Sequence, residues 1–78
     1  MRMLVEKFAS EMDRILDRHK RKGSWAPEDC NVSSLERELV TEVGEYFESG
    51  EPDELVDIAN LCMMVWSRKT NLPNVPMR

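Results

Sequence analysis

Residues 41–60 read TEVGEYFESGEPDELVDIAN, and this segment contains the end of one predicted helix and the start of the next. Gly50 suits the left-handed position that ends a helix, and Pro52 suits the first turn of the helix that follows. Asp53 and Glu54 favour the positive end of that second helix. Because the connection is so short, we predict that the two helices pack antiparallel.

The helix before this turn begins with a capping signal. Ser33 fits the N-cap position, and Glu36 fits the position that reaches back to it in a capping box. Apolar residues then recur at helical spacing as far as the turn: Leu35, Leu39, Val40, Val43, Tyr46 and Phe47. We therefore predict one amphipathic helix that begins after Ser33 and ends at Gly50.

The helix after the turn is predicted from about Pro52 to about Lys69. Its apolar residues lie on nearly every side: Leu55, Val56, Ile58, Ala59, Leu61, Cys62, Met63, Met64, Val65 and Trp66. A helix that is apolar all round is a buried helix, and two other short helices do not cover it completely. We therefore expect a three-helix protomer that forms a four-helix-bundle-type core in a dimer or a dimer of dimers.

A further helix is predicted from about residue 3 to about residue 20, where apolar residues share one arc: Leu4, Val5, Phe8, Met12, Ile15 and Leu16. His19, near its end, is expected to cap terminal carbonyls. Residues 21–32 contain Gly, Ser and Pro, as loops do. We predict an all-α chain with one helical domain at 1–69 and an extended or flexible tail at 70–78.

Length and composition narrow the class of protein. A chain of 78 residues is a single small domain, which commonly needs a metal or a partner chain for stability. Two cysteines make no disulfide framework, which favours a reduced, intracellular protein. Residues 1–7 do not resemble a signal peptide, and the longest apolar run, 61–66, is too short to cross a bilayer. We expect a cytoplasmic protein with no membrane partner.

Charge is unevenly distributed along the chain. Residues 1–24 carry a net charge of +3, residues 25–60 a net −10, and residues 61–78 a net +3. The acidic centre argues against a nucleic-acid partner, which requires a basic surface. Concentrated carboxylates are, however, suited to holding a hard cation.

Carboxylates on the two antiparallel helices are predicted to converge. Glu38, Glu42 and Glu45 share one helix face beside the apolar arc. Glu54 and Asp57 are one turn apart on the next helix. Carboxylates this close together repel one another unless a cation neutralises them. Ligand sets made only of oxygen select Mg²⁺, Mn²⁺ or Ca²⁺. Glutamates at this spacing are also common on solvated helix faces, so that interpretation stays open.

These residues resemble the motif of MazG-like and dimeric dUTPase-like all-α pyrophosphohydrolases, which has the form E-E-x-x-E followed, after a gap, by E-x-x-D. Residues 41–45, TEVGE, are similar to the first part, and residues 54–57, ELVD, are similar to the second. The resemblance covers roughly residues 19–66. One position departs from the pattern: Thr41 stands where the family commonly has its first glutamate.

The resemblance implies a metal-dependent hydrolase. Its Mg²⁺ ligands would be Glu42, Glu45, Glu54 and Asp57, with Mn²⁺ as an alternative ion. The implied reaction is hydrolysis of a nucleoside or deoxynucleoside triphosphate between the α and β phosphates, giving a monophosphate and pyrophosphate. Glu42 would be essential for catalysis, and Glu38 would orient the attacking water or bind a second metal.

A further group of side chains is predicted to bind the substrate: Arg14, Arg18, Lys20, Lys22, Trp25 and Asn60. Arg14 and Arg18 also suit interhelical ion pairs, and the pattern favours that interpretation over phosphate binding. Trp25 stacks on a base or anchors its loop on the core. Asn60 binds a ligand or serves as a buried structural amide.

A second hypothesis for the whole chain is a non-enzymatic helical module. In that case the protein is an oligomerisation or regulatory domain whose carboxylates are solvated or hold a structural ion. Binding of Mg²⁺ raises the melting temperature only if a metal site exists in the folded state.

Overall fold

The computed structural model describes residues 1–21 and 31–70, and all the regular structure within these ranges is helical. Helix α1 spans Arg2–Arg21, α2 spans Val32–Ser49 and α3 spans Pro52–Lys69. For the described residues, the prediction of an all-α chain with three helices is confirmed, and each predicted boundary lies within about two residues of the observed one.

The α2–α3 turn has the predicted geometry. Gly50 adopts φ 68° and ψ 12°, a left-handed conformation that glycine enters without a steric penalty. Its N–H donates to the carbonyl of Tyr46 at 2.7 Å, which closes the last turn of α2. Pro52 begins α3, and Asp53 and Glu54 lie in the first turn of that helix. The chain therefore reverses within two residues, and α2 and α3 pack against each other.

The predicted capping box at the start of α2 is wrong. The N-cap is Asn31, whose extended backbone precedes the helix and whose Oδ1 accepts a hydrogen bond from Ser34 N at 2.8 Å. Ser33 lies inside the first turn instead. Asparagine caps as well as serine does, and a cap two residues earlier adds helical hydrogen bonds. Glu36 does not reach back; its Oε2 lies 3.8 Å from Nζ of Lys69 on α3.

Helix α3 is the central element of the described part of the chain. It packs against both α1 and α2, whereas the backbones of α1 and α2 make no close approach within the described residues. Leu61 and Met64 of α3 form a buried cluster with Leu35 of α2. Three half-buried residues pack on that cluster: Leu16, Leu39 and Val65. Both neighbouring helices therefore hold α3 in place.

Several large apolar side chains remain exposed on all three helices. On α3, Trp66 is 57% exposed and Leu55 42%. On α2, Phe47 is 79% exposed and Val40 72%. The first two turns of α1 add more: Met3, Leu4, Val5 and Phe8. Within the described residues, much of the apolar surface is therefore exposed to water.

None of the three helices in the described part of the chain is long and apolar enough to cross a membrane.

Candidate metal centre

Three of the four predicted metal ligands are adjacent at the α2–α3 interface. Glu42 of α2 and Glu54 and Asp57 of α3 each offer one carboxylate oxygen, and the three oxygens lie within 4.8 Å of one another. All three side chains are half-buried. The convergence follows from the tight turn at Gly50, which places the middle of α2 opposite the first turns of α3. We call these three residues the carboxylate triad.

The fourth predicted ligand, Glu45, is exposed and lies outside the triad. Its charge still acts there, because repulsion from Glu45 helps to raise the pKa of both Glu42 and Glu54. Glu45 would therefore join an ion held by the triad only if its side chain moved toward the other three.

Glu42 has a strongly perturbed ionisation. Partial burial raises its pKa from 4.5 to about 7, and repulsion from neighbouring carboxylates adds to the effect. Those neighbours are Glu45, Asp57, Glu54 and Glu38. The pKa of Glu54 is also raised, first by burial and then by Glu45, Asp57 and Glu51. The triad thus concentrates negative charge that water alone compensates poorly.

A hard divalent cation fits this donor set. Octahedral Mg²⁺ takes oxygens at about 2.1 Å, so its ligand oxygens are about 3 Å apart when adjacent and about 4 Å apart when opposite. The triad oxygens all lie within 4.8 Å of one another, which is close to that spacing. Carboxylate oxygens select Mg²⁺ or Mn²⁺ over zinc or copper. The triad could therefore hold such an ion.

Sequence reasoning missed a contact between His19 and the triad. Nε2 of His19, in the last turn of α1, lies 3.4 Å from Oδ1 of Asp57. The side chains are 24% and 14% exposed respectively, so water screens the contact only in part. The position of His19 near a helix end suggested a capping role. The two positions are 38 residues apart in the sequence, and no local signal pairs them.

Asn60, predicted to bind substrate or to be structural, is fully buried on α3. Its Nδ2 donates to the carbonyl of Met12 on α1 at 3.2 Å. Its Oδ1 is buried and accepts no hydrogen bond from the described residues. The amide therefore links α1 to α3, one turn beyond Asp57.

The predicted basic substrate-binding residues are spread along α1. Arg14 is an ion-pair residue, with Nη2 at 2.8 Å from Oε1 of Glu11 and 3.6 Å from Oδ1 of Asp53. Arg18 is half-buried, and Lys20 is exposed in the last turn of the helix. Lys22 and Trp25 lie outside the described residues. The interhelical ion pair considered for Arg14 is present, and it joins α1 to α3.

Glu38 and Thr41 lie on α2 before the triad. Glu38 is exposed, and its charge contributes to the raised pKa of Glu42. Thr41 is exposed, and its Oγ1 donates to the carbonyl of Arg37 at 3.1 Å. The hydroxyl of Thr41 is therefore engaged by its own helix, and this position adds no charge to the triad.

Stability of the metal-free protein is expected to fall as pH rises. The folded pKa of Glu42, about 7, lies above its ordinary value of 4.5, so the folded state binds this proton more tightly than the unfolded state. The contribution is complete below pH 4.5 and is lost as pH rises through 7. We expect a loss of about 1 to 2 kcal/mol, less than full linkage because Glu42 is partly exposed.

Urea unfolding at pH 5 and pH 8 in the presence of a chelator measures this loss. Glu42→Gln should remove it, whereas Glu48→Gln, at an exposed position on the same helix, should leave it unchanged. An equal pH dependence in wild type and Glu42→Gln would mean that Glu42 titrates normally.

Comparison with known proteins assigns this chain to no family: no family model, no curated protein and no solved structure matches it.

Proposed function

We propose that this protein is a Mg²⁺-dependent nucleotide pyrophosphohydrolase of the MazG-like kind. The observation that carries the proposal is the carboxylate triad, in which Glu42, Glu54 and Asp57 each bring one oxygen to within 4.8 Å of the others. These residues occupy three of the four ligand positions of the motif that residues 41–57 resemble. Glu45, the fourth, acts on the same site through its charge.

The residues of the triad would hold Mg²⁺, or Mn²⁺, at the edge of the helical core. The bound ion would offset charge on the phosphates and lower the pKa of a water nucleophile. Glu42 combines partial burial with a raised pKa, so ion binding there displaces a proton and strengthens with pH through neutrality. Glu38, one turn earlier on α2, would orient the water.

The substrate would be a nucleoside or deoxynucleoside triphosphate. Its phosphates carry charge beyond what one divalent ion offsets, and cations on the same side of the molecule would balance the rest. Arg18 and Lys20 lie in the same last turn of α1 as His19, which contacts the triad. Cleavage between the α and β phosphates rests on the family resemblance.

A second candidate is a non-enzymatic helical module, and Thr41 favours it. In the resembled motif this position carries a glutamate, whereas here the hydroxyl is bonded to the carbonyl of Arg37. If activity depends on a carboxylate at this position, the triad binds an ion without turnover. Thr41→Glu separates the two candidates: it would create or increase turnover in the module, but it is not needed for turnover by the enzyme.

Self-association is part of the proposal. Trp66, Leu55 and Phe47 are each at least 42% exposed, and covering such side chains contributes roughly 25 cal/mol per Å². A second copy of the chain would complete a four-helix-bundle-type core on the open side of α3. Both a dimer and a dimer of dimers satisfy this requirement.

We expect sedimentation at low micromolar concentration to give a dimer or tetramer. Trp66→Glu should shift the protein toward monomer, because it puts a charge into the proposed interface. Lys20→Glu, an exposed position at the end of α1, serves as the charge-changing control. A stable, well-folded wild-type monomer would refute the four-helix-bundle arrangement.

A screen of nucleoside and deoxynucleoside triphosphates with Mg²⁺, read out as released pyrophosphate, tests the catalytic proposal. Wild type should release pyrophosphate from at least one of them, and a chelator should stop the release. Glu48→Gln serves as a carboxylate-to-amide control outside the triad. The screen also identifies the preferred base and sugar.

A further inference from the structure

We propose that His19 is a positioning residue for the metal site, and that it orients Asp57 by donating from Nε2–H to Oδ1 of that carboxylate. The inference rests on the proposed function, since it requires that the triad bind a divalent ion. It assigns a role in the metal site to α1, which supplies none of the residues of the resembled motif.

The geometry at Asp57 supports this role. Nε2 of His19 lies 3.4 Å from Oδ1 of Asp57, at the long end of hydrogen bonding. Asp57 is only 14% exposed, so few water molecules can replace the imidazole as donor. A carboxylate has two oxygens, and a donor fixed at Oδ1 leaves Oδ2 for the ion. Hydrogen bonds to a ligating carboxylate fix its orientation in this way.

The position of His19 is restrained, because the turns of α1 that precede it are held in the core. Ile15 is fully buried. The carbonyl of Met12 accepts from the buried Asn60 amide at 3.2 Å. His19 is one turn beyond Ile15, so the position of its imidazole along α3, beside Asp57, is defined. A side chain anchored this well can restrict the carboxylate that it contacts.

The triad itself explains why such restriction matters. Its three carboxylates each bring one oxygen to within 4.8 Å of the others, so they repel one another when ionised. Without an ion, repulsion favours rotation of each carboxylate toward water. A donor at Oδ1 opposes that rotation for Asp57 and keeps the ligand spacing close to what the ion requires.

Calorimetric titration of the full-length protein with Mn²⁺ and with Mg²⁺ tests the inference. His19→Leu removes the donor while keeping a side chain of similar size, and we expect at least tenfold weaker metal binding. His19→Gln can place an amide N–H near the position of Nε2, and we expect affinity within about threefold of wild type. Arg21→Leu, in the same turn and exposed, controls for loss of a polar side chain from the end of α1.

The melting temperature without metal separates positioning from folding. We expect His19→Leu and His19→Gln to melt alike in chelator while differing in metal affinity. Equal affinity of wild type and His19→Leu would overturn the inference and leave the proposed metal site standing. Equally weak binding by His19→Leu and His19→Gln would also overturn it, because the N–H donor of Gln would then have no effect. Failure of wild type to bind either ion would overturn both proposals. A His19 effect on metal binding without nucleotide turnover would support the inference and refute the enzyme.

Discussion

Glu42→Gln is expected to reduce nucleotide hydrolysis by more than about 100-fold. Loss of a group that supports a metal ligand lowers affinity or activity by roughly 10- to 100-fold, and loss of the ligand itself should lower it at least as much. The substitution keeps the shape of the side chain but removes its charge. A carboxylate oxygen of Glu42 lies within 4.8 Å of one from Glu54 and one from Asp57. Glu42 is the one residue that α2 contributes to the triad, so no second triad residue on that helix replaces it. Pyrophosphate release under saturating Mg²⁺ is the measurement.

Stability provides the control for this variant. The metal-free Glu42→Gln protein should be at least as stable as wild type at pH 8, because it removes a repelled carboxylate. Loss of activity therefore cannot be attributed to unfolding. Hydrolysis at the wild-type rate in Glu42→Gln would show that the reaction occurs elsewhere or needs no ligand at this position.

Mg²⁺ is expected to raise the melting temperature of wild type by roughly 10 to 20 °C at a concentration about 100 times its dissociation constant. At that concentration a ligand specific for the folded state adds about 2.7 kcal/mol. A domain of 60 to 100 residues gains about 4 to 8 °C per kcal/mol. Asp57→Asn should remove most of this increase, since an amide oxygen is a weaker ligand than a carboxylate oxygen.

Two further measurements make the thermal result specific. Glu48→Gln should retain the full Mg²⁺-induced increase, because Glu48 is exposed and lies outside the triad. Far-UV circular dichroism should show equal helicity for wild type and Asp57→Asn. An Asp57→Asn protein that Mg²⁺ stabilises as much as wild type would exclude Asp57 as a ligand.

The α2–α3 hairpin and its carboxylates were predictable because their determinants are local. Gly50 and Pro52 determine where one helix ends and the next begins. Once the turn is fixed, helical periodicity alone brings Glu42 opposite Asp57. The boundaries of α1 followed from the same periodicity, and the all-α prediction is confirmed for the described residues.

Contacts between α1 and the rest of the molecule were not predictable in the same way. His19 meets Asp57, and Met12 meets Asn60, across 38 and 48 residues of sequence. Such pairs depend on how α1 crosses α3, which periodicity does not specify. The capping box failed for a different reason: Asn31 and Ser33 are both good caps, and sequence alone did not rank them.

The identity of the products tests the central claim most directly. Wild type incubated with a mixture of nucleoside triphosphates and Mg²⁺ should yield a nucleoside monophosphate and pyrophosphate in equal amounts, and Glu42→Gln should yield neither. A nucleoside diphosphate with orthophosphate would contradict the proposed reaction. No turnover of any nucleotide with Mg²⁺ or Mn²⁺ would contradict the assignment as an enzyme and favour the helical module.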